Sequence, residues 1–145
     1  MTTRLIPVLL IAISFFPAGC QKYTSGLQQS VARADETGAI AALRSISVAQ
    51  QAYMVSNSGE YGTLKQLVGG AFLDARMASD KPVKDYVLTL KVTAKSADEP
   101  AGSYTCNADP DATVTAGKHY YIDSSSNVIH VNETQPATSA DKSIE

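Results

Sequence analysis

Apolar and polar positions along this chain follow two different periods. Between Ile40 and Met54 the period is helical: Ile40, Leu43, Ile46, Tyr53 and Met54 fall within an arc of roughly 140°, the width of a core-facing stripe. Ser47 and Gln50 share that arc, while Arg44, Ser45 and Gln51 take the side that should be solvated. Upstream, Ser25-Gly-Leu-Gln28 has the form of a capping box, and downstream Gly59 is a fitting stop. The spacing therefore predicts one long helix from about Leu27 to about Asn57. Gly38 lies inside it at a cost of about 1 kcal/mol relative to alanine, which points to a bend or a close packing contact there. Thr63 to Val68 is long enough for one or two further turns before Gly69-Gly70.

From Tyr86 the period changes to two. Tyr86, Leu88, Leu90 and Val92 alternate with Val87, Thr89, Lys91 and Thr93, which predicts a strand with one buried face. Ser103 to Cys106 reads as a second, shorter strand, and Asn107 to Gly117 as a loop. Ser124-Ser-Ser-Asn127 is a compact turn between His119–Asp123 and Val128–Asn132. Pairing Asp123 with Val128 sets Tyr120 opposite Val131 and Ile122 opposite Ile129, leaving His119, Tyr121, Asp123, Val128, His130 and Asn132 on the outward face. The segment 133–145 is too polar to bury much and reads as a disordered tail. The expected architecture is α+β, with one long N-terminal helix packed on a small antiparallel sheet of three or four strands.

The chain begins differently from the rest. Arg4 precedes an apolar run from Leu5 to Ala18 that is too short for the roughly 20 residues of a membrane span and has the shape of a secretory signal. Residues 1–19 would then be removed, 20–26 would form a short tether, and 27–132 a single domain. Loss of Arg4 leaves 11 basic against 14 acidic residues, a net charge of −3. That balance, with no basic stripe interleaved with aromatics, argues against nucleic-acid binding.

The ending Ala18-Gly19-Cys20 resembles the lipobox of bacterial lipoproteins, with Pro17 standing where Leu is usual. The resemblance implies cleavage before Cys20, acylation of its thiol and attachment to a membrane. Gln21 stands where inner-membrane retention uses Asp, which points to the outer membrane. Cys106 would then be an unpaired thiol; without acylation, a Cys20 to Cys106 disulfide competes.

Glu36-Thr-Gly-Ala-Ile-Ala-Ala-Leu-Arg-Ser-Ile-Ser-Val-Ala-Gln-Gln-Ala-Tyr53 is similar to the second half of the long helix in type IV pilin-like proteins and the major pseudopilins of type II secretion. The similarity continues through Glu60–Leu67, Tyr86–Thr93 and the closing hairpin, covering roughly residues 30–131. It implies a pilin-like head making protein contacts in the cell envelope, beside a pilus or a secretion machine. The family's assembly half is not matched: Cys20 follows Gly19 where Phe is common, Thr24 occupies the place of a Glu, and Gln21 to Asp35 is largely polar. A true filament subunit is therefore the alternative rather than the first expectation.

Candidate chemistry is thin. Asn107, Asp109 and Asp111 offer alternating oxygens, and secretion pseudopilins can hold calcium in a late loop, so calcium is the cofactor this segment would suit. An EF-hand pattern is absent, because Ala112 and Lys118 stand at its Gly and Glu positions. His119 and His130, two residues apart across the predicted pairing, are within reach of a shared zinc ion, with Asp123 further along. An ion- or ligand-binding module is thus a second expectation. No Gly-x-Ser-x-Gly, P-loop, His-Glu-x-x-His or Cys-x-x-Cys motif occurs, and an enzyme is not expected. Tyr104, Tyr120 and Tyr121 are the candidate contact residues on a binding face.

Overall fold

The computed structural model describes residues 20–79, 81–97, 100–114 and 117–144, with only the backbone described for 20–25 and 28. Helix α1 spans Cys20–Ser56 and α2 spans Leu64–Gly69, followed by a 3-10 turn at Ala75–Ala78. Five strands follow: β1 Tyr86–Thr93, β2 Ser103–Pro110, β3 His119–Asp123, β4 Ile129–Asn132 and β5 Lys142–Ile144. They form one antiparallel sheet in the order β1-β2-β3-β4-β5. The architecture is α+β, as expected, but the sheet has five strands rather than three or four.

α1 is rich in alanine, the strongest helix former, and buries Ala39, Ala42, Leu43, Ile46 and Ala49 against the sheet. The two polar residues in the stripe are structural ties. Gln50 is fully buried, and its amide grips both backbone groups of Gly62: Nε2 donates to the carbonyl at 2.7 Å and Oε1 accepts from the N–H at 2.8 Å. Ser47 donates to Asn127 Oδ1 at 2.9 Å and so joins the helix to the β3–β4 turn. The helix stops where Ser58 and Gly59 turn left-handed and the Gly59 N–H closes onto the Met54 carbonyl at 2.8 Å. α2 starts on Thr63, whose hydroxyl and backbone exchange hydrogen bonds with Gln66 in a capping box.

Three boundaries differ from the sequence-based expectation. α1 begins at Cys20, so residues 20–26 are helix rather than a tether ahead of it; the Ser25 and Gln28 side chains of the expected capping box lie outside the described residues. β2 continues through Asn107-Ala-Asp-Pro110, which reads as turn chemistry but alternates correctly, with Ala108 fully buried. Of the expected disordered tail 133–145, residues 133–144 are not loose: they turn back over the sheet, bury Ala137 and add β5, with Ile129 opposite Ile144 and Val131 opposite Lys142. Its ordering comes from polar contacts, since Asn132 Oδ1 accepts from the Thr134 and Gln135 N–H groups and Asp141 Oδ2 accepts from Thr138.

The β3–β4 register is the expected one, with Tyr120 opposite Val131 and Tyr121 opposite His130. The core lies between α1 and the face carrying Tyr86, Leu88, Leu90, Val92, Tyr104, Cys106, Ala108, Tyr120 and Ile122. Gly38 faces Val83 without close packing: a β-carbon there would sit 3.4 Å from Val83 Cγ1, an ordinary van der Waals distance with room for a methyl group. Gly38→Ala should therefore stabilise the protein by about 0.5–1 kcal/mol through helix propensity, read as a rise in denaturation midpoint; an unchanged or lower midpoint would mean the contact does not tolerate the methyl.

Candidate functional site

The outward face of the sheet gathers most of the residues that the sequence marked for chemistry. Because side chains alternate along a strand, Asn107 and Asp109 of β2, His119 and Tyr121 of β3, and His130 and Asn132 of β4 share this face. They do not act on a common point. His119 Nδ1 donates to Asp109 Oδ1 at 2.7 Å, whereas His130 Nδ1 donates to the Asp141 carbonyl at 2.8 Å. Asn107 Nδ2 donates to the Ala137 carbonyl at 2.9 Å, and Asn132 Nδ2 to Asp141 Oδ1 at 2.8 Å. Three of these side chains therefore serve to hold the returning segment 133–141 over the face.

Asp111 lies beyond the end of β2, where Lys81 Nζ reaches Oδ2 at 2.7 Å and Thr113 donates to Oδ1 through its N–H and its hydroxyl, both at 3.0 Å. These bonds, the lysine's first, draw its carboxyl down to about 2. Asn107, Asp109 and Asp111 thus have three different sets of partners, and among the described residues no group of three His, Cys, Asp or Glu is placed to hold a metal ion. An open depression of about 300 Å³ lies at this end of the sheet, lined by Pro110, Asp111, Val114, His119, Glu133 and Thr134. Its polar groups suit hydrogen bonding to a partner. Among the described residues neither histidine bonds to a hydroxyl or thiol.

The tyrosine expectations divide. Tyr104 and Tyr120 are 1% and 2% exposed, hence core residues rather than contact residues, and burial raises both phenols above their ordinary range. Tyr104 packs edge-on against Tyr61 with ring centroids 5.0 Å apart, and its hydroxyl donates to Asn127 Oδ1 at 2.8 Å. Tyr121 is partly exposed and remains on the outward face, its ring 6.2 Å from that of His130. Cys106 is a free thiol at the bottom of the core, pushed up to about 12 by burial, which leaves it unreactive. Cys20 sits at the first residue of α1, and the apolar run and cleavage segment ahead of it lie outside the described residues.

One residue was undervalued by the pattern. Asp123, expected on the solvated face, is 7% exposed and organises the β3–β4 turn: its Oδ1 accepts from the N–H and hydroxyl of both Ser125 and Ser126, and its Oδ2 from Tyr121. The signal was available in Asp123-Ser-Ser-Ser, since an aspartate followed by serines is the composition of an Asx turn.

No family model, no curated protein and no solved structure matches this chain.

Burial acts to raise the Asp123 carboxyl, and the hydrogen bonds from Ser125, Ser126 and Tyr121 outweigh it, leaving the group below the ordinary aspartate value. A carboxyl lowered in the folded state contributes stability that is present above the unfolded aspartate value and is lost as pH falls through the folded one. Urea midpoints should therefore decline between about pH 5 and pH 2, and Asp123→Asn should flatten that decline while lowering the midpoint at pH 7. An Asp123→Asn protein with the wild-type pH profile would show that the carboxylate has no such part.

Proposed function

We propose that this chain is a non-enzymatic protein of the bacterial cell envelope, exported and anchored by lipid on Cys20, that presents its helix-and-sheet domain for contact with other proteins. The observation that carries this reading is the geometry of α1 around Cys20. The described side chains from Gly26 to Ala34 are exposed at every position but Ala32, and the buried stripe starts only at Ala39. Residues 26–34 are thus an uncovered stem, and the helix backbone runs roughly 21 Å from Cys20 to Ala34 at 1.5 Å per residue. A lipid at Cys20 would hold the domain at that distance from a bilayer, with the outward sheet face and the open depression free. No described helix is long and apolar enough to cross a membrane.

The likeness of Glu36–Tyr53 and the closing hairpin to pilin heads adds the neighbourhood: a type IV pilus or a type II secretion machine, with the outer membrane as the site of attachment. A filament subunit is the weaker form of this reading, since Thr24 and the polar stretch behind it replace the apolar helix by which such subunits assemble.

Intact mass and membrane partitioning of the protein made in a bacterial host, wild type against Cys20→Ala, test the proposal. The wild type should begin at Cys20, carry acyl mass and sediment with membranes; Cys20→Ala should lack the acyl mass and leave the membrane fraction. A wild type that keeps residues 1–19, or that is free of acyl chains and membrane, would contradict it.

A further inference from the structure

We infer that the open edge of β1 is a pairing surface for a second copy of this chain, joining two five-stranded sheets edge to edge. The hydrogen-bond phase of the edge follows from three contacts. The Asp111 N–H reaches the Asp85 carbonyl, the Ser124 N–H reaches the Tyr104 carbonyl, and the Tyr86 N–H turns away from β2 to Val83. In an antiparallel ladder the two residues of a bonded pair face each other and the next pair faces outward. Val87, Thr89, Lys91 and Thr93 are therefore spent on β2, while Leu88, Leu90 and Val92 point both backbone groups away from the sheet. β1 is the terminal strand, and no described backbone group answers these three. A row of open donors and acceptors of this length is a template for one more extended strand.

The edge is complementary to itself. A two-fold axis through Leu90 sets Leu88 of one copy against Val92 of the other and Leu90 against Leu90, closing about six backbone hydrogen bonds in three bonded pairs. On the helix side this brings together Leu88, Leu90 and Val92, each only partly buried in a single copy. On the outer side Val87, 43% exposed, meets Thr93. Lys91 is the only charged residue of β1, and in this register it faces Thr89. Sliding the pair by two residues, so that Leu90 meets Val92, sets Lys91 against Lys91, a like-charge pair that opposes the shift. The charge opposes that slip, and the opposite one, Leu88 against Leu90, loses a bonded pair because the Tyr86 N–H is already spent on Val83.

This inference rests on neither the lipid nor the pilin likeness, and its test leaves both untouched. Thr89 is exposed, stands opposite Asn107 within its own sheet, and in the paired state lies opposite Lys91 of the second copy. Sedimentation of the protein as purified, in mild detergent and over a range of concentrations, should show a reversible dimer. Thr89→Glu should tighten it and Thr89→Lys weaken it, each about tenfold because two cross-strand pairs change per dimer. Adding Lys91→Glu to Thr89→Lys should restore association by exchanging the charges. Unchanged circular dichroism shows that the variants fold. A protein that is monomeric in all forms, or a dimer indifferent to these charges, overturns the inference, the first outcome making Lys91 a guard against edge pairing.

Discussion

The long helix α1 covers the β2–β3 centre of the sheet's apolar face, with Leu67, Leu73 and Val83 completing the core, and it does so with small side chains. Ala39, Ala42 and Ala49 flank Leu43 and Ile46 along the buried stripe, so the α1 backbone can lie close to the strands, while the sheet supplies bulk through Tyr86, Tyr104 and Tyr120. Tyrosine is an expensive way to fill a core unless each hydroxyl finds a partner. Here Tyr86 donates to the Lys118 carbonyl at 2.9 Å, Tyr104 donates to Asn127, and Tyr120 lies near the Glu36 carboxylate of α1, whose charge helps raise its phenol. Among the described residues no buried side-chain polar atom lacks a partner. The polar periphery is therefore the condition on which the small-on-large packing rests.

The same logic explains the two polar residues inside the helical stripe. Gln50 and Ser47 cost burial of polar groups, and each returns a tie that an apolar side chain has no means to make. Gln50 fixes the loop at Gly62 that leads into α2; Ser47 and Tyr104 share Asn127 Oδ1, binding helix, strand and turn at one atom. Asn127 tolerates the left-handed backbone of that turn, φ 54°, better than most residues. At the same end of the sheet Gly102, φ 61°, is held to glycine for a different reason: a β-carbon would stand 2.9 Å from the Thr93 carbonyl oxygen.

How much of this was legible in the chain depended on whether apolar burial or polar bonding organised each part. β1 was readable to the residue and the β3–β4 hairpin in its register, because Tyr86, Leu88, Leu90 and Val92 and the Tyr120–Val131 pair are placed by a strict period of two. β5 and the segment before it were not, because Ala137 is the one buried hydrophobe they contribute and the rest is held by Asn107, His130, Asn132 and Asp141 acting on backbone groups. Two of them, Asn107 and His130, looked like ligands in the sequence and prove to be fasteners. β2 was cut short in the reading because Asn-Ala-Asp-Pro carries turn composition, although Ala108 keeps the strand's alternation. The start of α1 was placed late because its first turns have no apolar periodicity to announce them.

The account divides α1 into a half that covers the sheet, from Ala39 to Tyr53, and a stem from Gly26 to Ala34 that packs on nothing described. Residue-resolved amide hydrogen exchange on the folded protein tests that division most directly. Amides of the covering half should exchange only with global unfolding and those of the stem orders of magnitude faster, since an isolated helical segment of this length is marginal in water. Uniform protection from Gly26 to Tyr53, or rapid exchange at Leu43 and Ile46, would contradict it.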